Sequence, residues 1–439
     1  MNPRNQTRRT LVAAFVVLAL IAVACGDDDA ATTTTAATTT TAATTTTAAA
    51  TTTTAGITAA PFEATFGYLA PQTGGLSGIV DALVKPVEMA AEEIAAAGDT
   101  MTLLIVDDGT DPAIATTAVE GLLNQDVSGI FGPAATGVSL SVIDRISGAG
   151  VPMCSPSNTG SIFTTYDDDG YYFRTAPPDN LQGQVHADLI TEDGATKVVV
   201  AHRSDEYGRG LAQAIAEALE ANGVEVALFL EFNKDGDGGF DAEAAQIAAI
   251  PGVDAISFIP FGEGAAFLQS LIEAGLGPDE VALYTADGFV DNVKPEDVDP
   301  DDPAVFAGIR GTYPSLAPPS GEPGFPGRFA EYAPGTPTIF SAHAYDCAIV
   351  FALATVAAGS TDPAEIALYV NDVTRDGTQC SRYAECRELL LAGEDIDYDG
   401  ASGVLDFVGA GEPGAGTYDL FTYAPDGTYT VDGQVDISG

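Results

Sequence analysis

Apolar and polar positions follow two alternating periods along most of the chain after about residue 61. Short runs such as "EATFGYLA", "TLLIVDD" and "TKVVVAH" are rich in β-branched and aromatic residues, and each precedes a stretch with apolar residues three and four positions apart. These are the periods of a strand and of an amphipathic helix. About nine such units succeed one another, more than one doubly wound sheet usually holds. We therefore predict an α/β protein with two lobes, each a mostly parallel sheet flanked by helices.

Local signals indicate where some of these elements begin and end. Asp111 followed by Pro112 predicts a helix start, because aspartate caps free backbone N–H groups and proline fits the first helical turn. After Tyr313 the Pro/Gly-rich stretch "YPSLAPPSGEPGFPG" indicates a long connection. The pattern then predicts helices at about 340–358, 363–371 and 382–392, and short antiparallel strands near the end of the chain.

The first residues have the pattern of an export signal. A basic segment, "MNPRNQTRR", precedes the apolar run "TLVAAFVVLALIAVA", which is short for a membrane span and typical of a signal peptide. The run ends in "AVAC", similar to the site at which a bacterial lipoprotein is cleaved and its cysteine lipidated, although Ala22 stands where leucine is more usual. We predict a lipoprotein signal peptide over 1–24 and a lipid on Cys25; an ordinary cleavage site with an incidental cysteine is the alternative.

A threonine- and alanine-rich stretch follows, and residues 25–60 contain no apolar periodicity. Such a segment cannot bury enough surface to offset its ordering entropy. We predict a disordered tether, with O-glycosylation of its threonines left open. An anchor, a tether and a large body together predict a protein held at the outer face of a cell membrane.

Charge excludes some classes of partner. The 439-residue chain has 16 basic and 63 acidic residues, a formal net charge of −47. Such a surface repels nucleic acid and anionic lipid headgroups, so neither is an expected partner, and membrane contact is expected only through the lipid anchor.

Motif searches give no sign of catalysis, a metal or a cofactor. "GAGEPG" at 409–414 matches a dinucleotide fingerprint in form, but it lies between strand-like runs and does not open a helix. "DGDGGFDAE" at 235–243 lacks the spacing of a calcium loop. The three histidines, His186, His202 and His343, are scattered, and no nucleophile–base pair stands out. We therefore predict no metal, no cofactor and no enzymatic activity.

Four cysteines lie in the predicted body. An exported protein can form disulfides, and "CSRYAEC" could pair Cys380 with Cys386 across the start of a helix. Cys154 ends a buried strand and Cys347 lies on an apolar helix, so both are expected to be buried thiols. A bridge from Cys347 to Cys380 or Cys386 is the alternative.

Five segments occur together in a recognisable order: "FGYLAPQTGGLSG", "VDDGTDPAIATTAVEGLL", "GIFGPAATGVSLSVID", "GVPMCSPSNT" and "HRSDEYGRGLA". With them the sequence resembles the leucine/isoleucine/valine-binding proteins, the substrate-binding components of branched-chain amino acid ABC transporters, from about residue 62 onward. The resemblance implies a type I periplasmic-binding fold whose ligand cleft lies between the lobes. It places lobe 1 at 62–178 and about 313–405, and lobe 2 at 179–312 and about 406–439.

The resemblance also implies a set of ligand contacts. Thr136 and Thr159 should donate hydroxyl hydrogen bonds to a ligand carboxylate, helped by the backbone at Ala134, Ser157 and Asn158. Without the resemblance, both threonines could equally be helix caps.

In lobe 2, Tyr207 should close over the ligand and Asp287 should pair with its ammonium group. Phe340 and Phe261 should supply apolar walls. Taken alone, Tyr207 could be a surface helix residue, and the pair "DG" at Asp287 is a common turn.

The sequence departs from the family pattern at two places. Ile79 stands where an aromatic residue is often found, and Thr110 and Ala135 replace a disulfide of some members. Both put the ligand's identity in doubt more than its mode of binding.

The resemblance implies a monomeric binding protein that delivers an amino acid of the branched-chain type to an ABC permease, and the predicted signal adds the lipid anchor. A binder of amides, urea or another small polar solute is one alternative. A ligand-sensing receptor module and an amidase are the others, and the missing nucleophile–base pair argues against the amidase.

The anchor can be tested directly. Replacing Cys25 (Cys25→Ala) removes the only thiol that the predicted signal places for lipidation, so the variant should move from the membrane to the soluble or secreted fraction. Fractionation followed by immunoblotting measures this. A variant that stays with the membrane would show that the anchor lies elsewhere.

Overall fold

The computed structural model describes residues 60–236 and 239–438. The predicted signal peptide, the lipidated Cys25 and the tether as far as residue 59 lie outside the described residues. Within the described part, the strands are β1 (Glu63–Ala70), β2 (Thr100–Asp107), β3 (Gly129–Phe131), β4 (Met153–Ser155), β5 (Tyr172–Arg174), β6 (Lys197–Arg203), β7 (Glu225–Phe232), β8 (Ala255–Ile259), β9 (Ala282–Ala286), β10 (Arg310–Pro314), β11 (Thr378–Cys380), β12 (Ile396–Tyr398), β13 (Ala415–Tyr423) and β14 (Tyr429–Ser438).

The α-helices of the same residues alternate with these strands through most of the chain. They are α1 (Val80–Ala96), α2 (Pro112–Leu123), α3 (Thr136–Ser147), α4 (Asp179–Glu192), α5 (Glu206–Ala221), α6 (Asp241–Ala248), α7 (Gly264–Glu273), α8 (Pro295–Val298), α9 (Phe325–Tyr332), α10 (Ser341–Ala358), α11 (Pro363–Ala367) and α12 (Tyr383–Ala392).

Two sheets organise the molecule. The first has five parallel strands in the order β2-β1-β3-β4-β5. The second has seven strands in the order β14-β13-β10-β9-β8-β6-β7, and only β13 runs opposite to the others, so that the β10–β13 and β13–β14 pairs are antiparallel. This confirms the predicted α/β architecture with mostly parallel sheets flanked by helices.

The chain passes between the two lobes three times. It leaves the first lobe after β5, returns after β10 and crosses again before β13. The lobe bounds at about 313 and about 406 stay a prediction; β10 ends at Pro314 and β13 begins at Ala415. Tyr313 belongs to β10 of the second sheet, and residue 411 still touches the first lobe, because Gly411 O accepts from the backbone N–H of Arg174 at 2.9 Å.

Burial explains which segments form the core. Strands β3, β4 and β8 are buried along their whole length, as expected for parallel strands covered on both faces. Helix α10 is buried from Ser341 to Val356 and packs against α1 and α12. It is the one helix of the described residues long and apolar enough to span a membrane, but 89% of it is buried inside the protein, as in a core helix.

The helix start predicted at Asp111 is confirmed. The carboxylate of Asp111 accepts hydrogen bonds from the backbone N–H groups of Ala113 (2.7 Å) and Ile114 (3.1 Å), and Pro112 occupies the first helical position.

The pairing of Cys154 and Cys347 differs from the prediction. Cys154 and Cys347 form a disulfide across 193 residues, so the prediction that both are free buried thiols is wrong. The reason is tertiary: β4 packs against α10, which brings the two side chains together. Cys380 and Cys386 form a second disulfide in the structure, at the start of α12.

Candidate functional site

A small cavity lies where the carboxyl ends of strands from both sheets meet. The cavity is nearly filled by its own side chains, because the volume open to a water molecule is about 10 Å³, roughly what one water needs. All but one of its lining residues follow the end of a parallel strand, the usual place for a ligand in open α/β sheets. The lining consists of Leu76, Ile79, Ala134, Ala135, Thr136, Ser157, Tyr207, Phe261, Asp287, Gly288 and Phe340.

The structure thus brings together seven of the nine residues that the sequence predicts for ligand binding: Ala134, Thr136, Ser157, Tyr207, Phe261, Asp287 and Phe340. A larger opening of about 1240 Å³, which includes open solvent, is lined by Pro177, Ser402, Thr417 and others, and none of the predicted ligand contacts reaches it.

Hydroxyl groups at the end of β4 and just after it hold one cavity loop against another. Ser155 Oγ donates to Pro133 O at 2.7 Å, and Ser157 Oγ donates to Ala134 O at 3.2 Å. Ser155 Oγ also accepts from the backbone N–H of Asn158 at 3.1 Å. These bonds fix the loop after β4 to the loop after β3, so most of the polar cluster in "MCSPSNTG" shapes the wall of the cavity.

Asn158 and Thr159, the other two residues predicted to contact the ligand, are not among the residues that line the cavity. The amide of Asn158 is fully buried and occupied: Nδ2 donates to Ala134 O at 2.6 Å, and Oδ1 accepts from Tyr172 at 3.1 Å. Thr159 is 1% exposed, and its carbonyl accepts from the backbone N–H of Asp179 at 2.7 Å. Both residues therefore support the loop from behind.

Thr136 begins helix α3 and faces the cavity. The residue before it, Ala135, has no side chain that can cap the helix, and the first N–H groups of a helix are free to bind an anion. Neither Thr136 nor Thr159 is an N-cap in the structure. Gly160 touches Thr136 closely, because a Cβ built on Gly160 would lie 2.5 Å from Thr136 Cγ2.

The second lobe contributes a buried carboxylate. Asp287 is 4% exposed; its Oδ1 accepts from Gln182 Nε2 at 2.8 Å and its Oδ2 from Tyr207 at 3.3 Å. Burial raises the pKa of Asp287 to about 6, and the hydrogen bonds from Gln182 and Tyr207 oppose that rise. At neutral pH the group is therefore mainly ionised in a site with little water.

Aromatic rings position this carboxylate. The Tyr207 ring stacks on the Phe261 ring with centroids 5.0 Å apart, and its hydroxyl oxygen accepts from the backbone N–H of Gly288 at 3.2 Å. The Arg203 guanidinium lies 3.7 Å from the centre of the Phe261 ring and forms an ion pair with Glu263. Phe340, the residue before α10, also lines the cavity, and its backbone has a left-handed conformation with φ of 58°.

Comparison with known proteins identifies the architecture. The sequence model of the periplasmic binding protein family matches residues 63–421. The chain belongs to the periplasmic binding protein family.

Relatives and solved structures agree with this assignment. Over 225 residues the chain is 29% identical to Leu/Ile/Val-binding protein homolog 3 of Brucella melitensis, covering 50% of this chain and 60% of that relative. Over 227 residues it is 30% identical to the leucine-, isoleucine-, valine-, threonine- and alanine-binding protein of Pseudomonas aeruginosa, covering 48% and 59%. The matched stretches thus span about three fifths of these relatives.

Solved structures share the fold of this periplasmic binding protein. The leucine-binding protein LivK of Thermotoga maritima superposes with a TM-score of 0.71 at 20% identity, covering 85% of this chain and 98% of that one. LivJ of Streptococcus pneumoniae in complex with isoleucine gives 0.69 at 21% identity, covering 86% and 100%. A solute-binding protein of R. palustris in complex with benzoate gives 0.69 at 16% identity, covering 86% and 98%.

Sequence reasoning missed the residue that supports the first-lobe loop. The Arg174 side chain is fully buried and pairs with Glu412. Its Nη1 donates to Asn158 O at 3.1 Å and to Gly160 O at 2.8 Å, so one guanidinium holds the loop behind the cavity. A lone arginine that ends the apolar run "YYF", in a chain so poor in basic residues, was the available signal.

Removing this guanidinium should destabilise the periplasmic binding protein strongly. Arg174→Ala leaves Glu412 charged and unpaired in the interior, which typically costs about 3–5 kcal/mol of unfolding free energy. Arg145→Ala is the control, because Arg145 and Glu120 form a pair with side chains 54% and 46% exposed; such surface pairs contribute about 0–1 kcal/mol. Denaturant unfolding measures both, and equal losses would contradict the role given to Arg174.

Proposed function

We propose that this protein captures an amino acid of the branched-chain type outside the cytoplasm and delivers it to an ABC importer, while a lipid on Cys25 holds it at the membrane. The observation that carries the proposal is the polarity of the cavity. One lobe offers a helix start with the Thr136 hydroxyl, and the other offers the buried carboxylate of Asp287. A zwitterion needs both, because its carboxylate requires hydrogen-bond donors and its ammonium group requires a negative charge.

The first-lobe end suits a carboxylate. The N–H groups at the start of α3 carry the positive end of the helix dipole, and each hydrogen bond to a charged group contributes about 1.5–3 kcal/mol. The strongly negative net charge does not prevent this, because at physiological salt the screening length is about 8 Å. Local donors therefore decide the binding.

The second-lobe end suits an ammonium group. An isolated buried cation would cost several kcal/mol, so a ligand ammonium requires a partner such as Asp287. A neutral amide or urea would leave this carboxylate uncompensated, which disfavours the alternative ligands.

The remaining walls suit an aliphatic side chain. Leu76, Ile79, Phe261 and Phe340 present apolar surface to the cavity. The names of the relatives from Brucella melitensis and Pseudomonas aeruginosa support the same ligand class. Handover to ABC permease subunits, action as a monomer and an extracytoplasmic, membrane-anchored location are parts of this proposal.

A thermal-shift screen tests the ligand class, and Asp287→Asn tests the site. L-leucine, L-isoleucine and L-valine should raise Tm, since a ligand at a hundred times its Kd adds about 2.7 kcal/mol; urea and acetamide should not.

Asp287→Asn should weaken L-leucine binding about 10- to 100-fold, the loss of one charged hydrogen bond. The control Asp188→Asn, at a side chain bonded to Gln184 and Asn222, should bind as the parent does.

This proposal fails if urea or an amide stabilises the protein and the three amino acids do not. Unchanged L-leucine affinity in folded Asp287→Asn would remove Asp287 from the site.

Crowding at Thr136 provides a second test. Gly160→Ala places a methyl group 2.5 Å from Thr136 Cγ2 and must displace that side chain. L-leucine affinity should fall roughly tenfold or more, the value of one hydrogen bond to a charged group. Gly137→Ala is the matched control, because a Cβ there meets nothing within 4 Å. Calorimetric titration of both variants decides, and equal affinities would show that Thr136 does not contact the ligand.

A further inference from the structure

The larger of the two openings lies against all three connections between the lobes. It takes residues from the connection after β5, from the connection after β10, from the segment before β13 and from α10. We call it the hinge cleft; its lining includes Thr175, Pro177, Pro319, His343, Leu405 and Pro413. The volume open to a water molecule is about 600 Å³, within the range of small-molecule sites.

The hinge cleft has a buried apolar floor and an exposed rim. Pro177, Leu405 and Pro413 are buried, whereas Pro319 and Val404 at the rim are exposed. A ligand seated on this floor removes apolar surface from water, which is the main favourable contribution to binding in such sites. The floor therefore suits the apolar body of a small molecule.

One polar side chain of the floor has no partner. His343 is 2% exposed, and among the described residues no group forms a hydrogen bond with its Nδ1. Burial lowers the pKa of His343 to about 3, so at neutral pH the ring is uncharged and has one donor and one acceptor nitrogen. Buried polar groups are normally paired, and a hydroxyl group can pair with either nitrogen because it both donates and accepts.

The position of His343 is fixed from two sides. The Thr175 hydroxyl donates to His343 O at 2.8 Å. The Phe340 ring packs edge-on against the imidazole with ring centroids 5.7 Å apart, and Phe340 itself lines the cavity between the lobes. The imidazole therefore lies between the hinge cleft and that cavity, and it is held in place where a ligand of the hinge cleft can meet it.

The charges at the hinge cleft disfavour ions. None of the described residues that line it is basic, so a carboxylate or phosphate group finds no cation there. Two acidic side chains lie at the cleft or next to its lining, and both already accept hydrogen bonds. Asp436 Oδ1 accepts from Thr417 at 2.6 Å, and Asp346 Oδ2 accepts from Ser402 at 2.5 Å. An ammonium group would compete with these bonds, so an uncharged ligand fits best.

We propose that the hinge cleft is a second ligand site, which takes an uncharged ring compound with a hydroxyl group, a phenol or a related alcohol, whose hydroxyl is hydrogen-bonded to His343. The apolar floor holds the ring, and the neutral imidazole pairs with the hydroxyl. The proposal goes beyond the proposed function and does not depend on which solute the cavity between the lobes binds.

Fluorescence anisotropy of 2-naphthol tests the proposal on the mature chain at pH 7. This compound has an apolar ring system and one hydroxyl, and its emission is free of tryptophan background because the chain contains no tryptophan. It should bind saturably. Naphthalene lacks the hydroxyl and should compete about three- to tenfold less well, the value of one neutral hydrogen bond. The anion 2-naphthoate should also compete less well than unlabelled 2-naphthol.

Two valine variants locate the bound probe. Val404 and Val408 lie on the same segment before β13 and are 43% and 41% exposed, but of the two only Val404 lines the hinge cleft. Val404→Tyr fills part of the cleft and should weaken 2-naphthol binding at least tenfold. Val408→Tyr is the matched control and should bind the probe as the parent does.

His343→Phe tests the hydrogen bond. It keeps an aromatic ring in the core and removes both nitrogens, so 2-naphthol should bind about three- to tenfold more weakly while naphthalene binds as before. Circular dichroism checks that the variant is folded. If it is not, the two valine variants still decide whether the hinge cleft is the site.

Three results would overturn the proposal. The first is equal affinity of 2-naphthol for Val404→Tyr and Val408→Tyr, which would place the probe elsewhere. The second is displacement of 2-naphthol by L-leucine in the parent, which would assign the probe to the cavity between the lobes. The third is the absence of saturable binding up to the solubility limit of 2-naphthol. Loss of binding in Val404→Tyr alone, with no displacement by L-leucine, supports the site.

Discussion

The cavity depends on a guanidinium that never reaches it. Arg174 ends a strand of the first lobe, is fully buried and is neutralised by Glu412 on a connection between the lobes. Its remaining donors bind the carbonyl groups of Asn158 and Gly160, in the loop behind the cavity. A buried ion pair contributes little to stability when compared with an apolar pair of the same shape, but breaking it is costly. The Arg174–Glu412 pair therefore fixes the loop behind the cavity relative to the connection that carries Glu412.

The two ends of the cavity divide the chemistry between the lobes. The first lobe presents backbone N–H groups and a hydroxyl at a helix start, and the second presents a carboxylate held by Gln182 and Tyr207. Each lobe alone offers half of the partners that a zwitterion needs. An arrangement of this kind binds such a ligand fully only when both lobes contact it, which links recognition to the approach of the lobes.

Much of this was accessible from sequence because it is local. Alternating periods gave the order of strands and helices, and the family resemblance assigned residues just after strand ends, such as Thr136 and Asp287, to a ligand cleft. What escaped prediction depends on contacts between distant parts of the chain. Arg174 and Glu412 are 238 residues apart. At Asn158 only the hydrogen-bond partners of the side chain show that its amide faces inward.

The Cys154–Cys347 disulfide connects two walls of the cavity through covalent bonds. Cys154 lies in the strand before the hydroxyl-rich loop, and Cys347 lies two turns into the helix that follows Phe340. The bridge cannot form until the chain has been made as far as residue 347 and has met an oxidising compartment. A chain kept in a reducing compartment therefore lacks this covalent link between the two cavity walls.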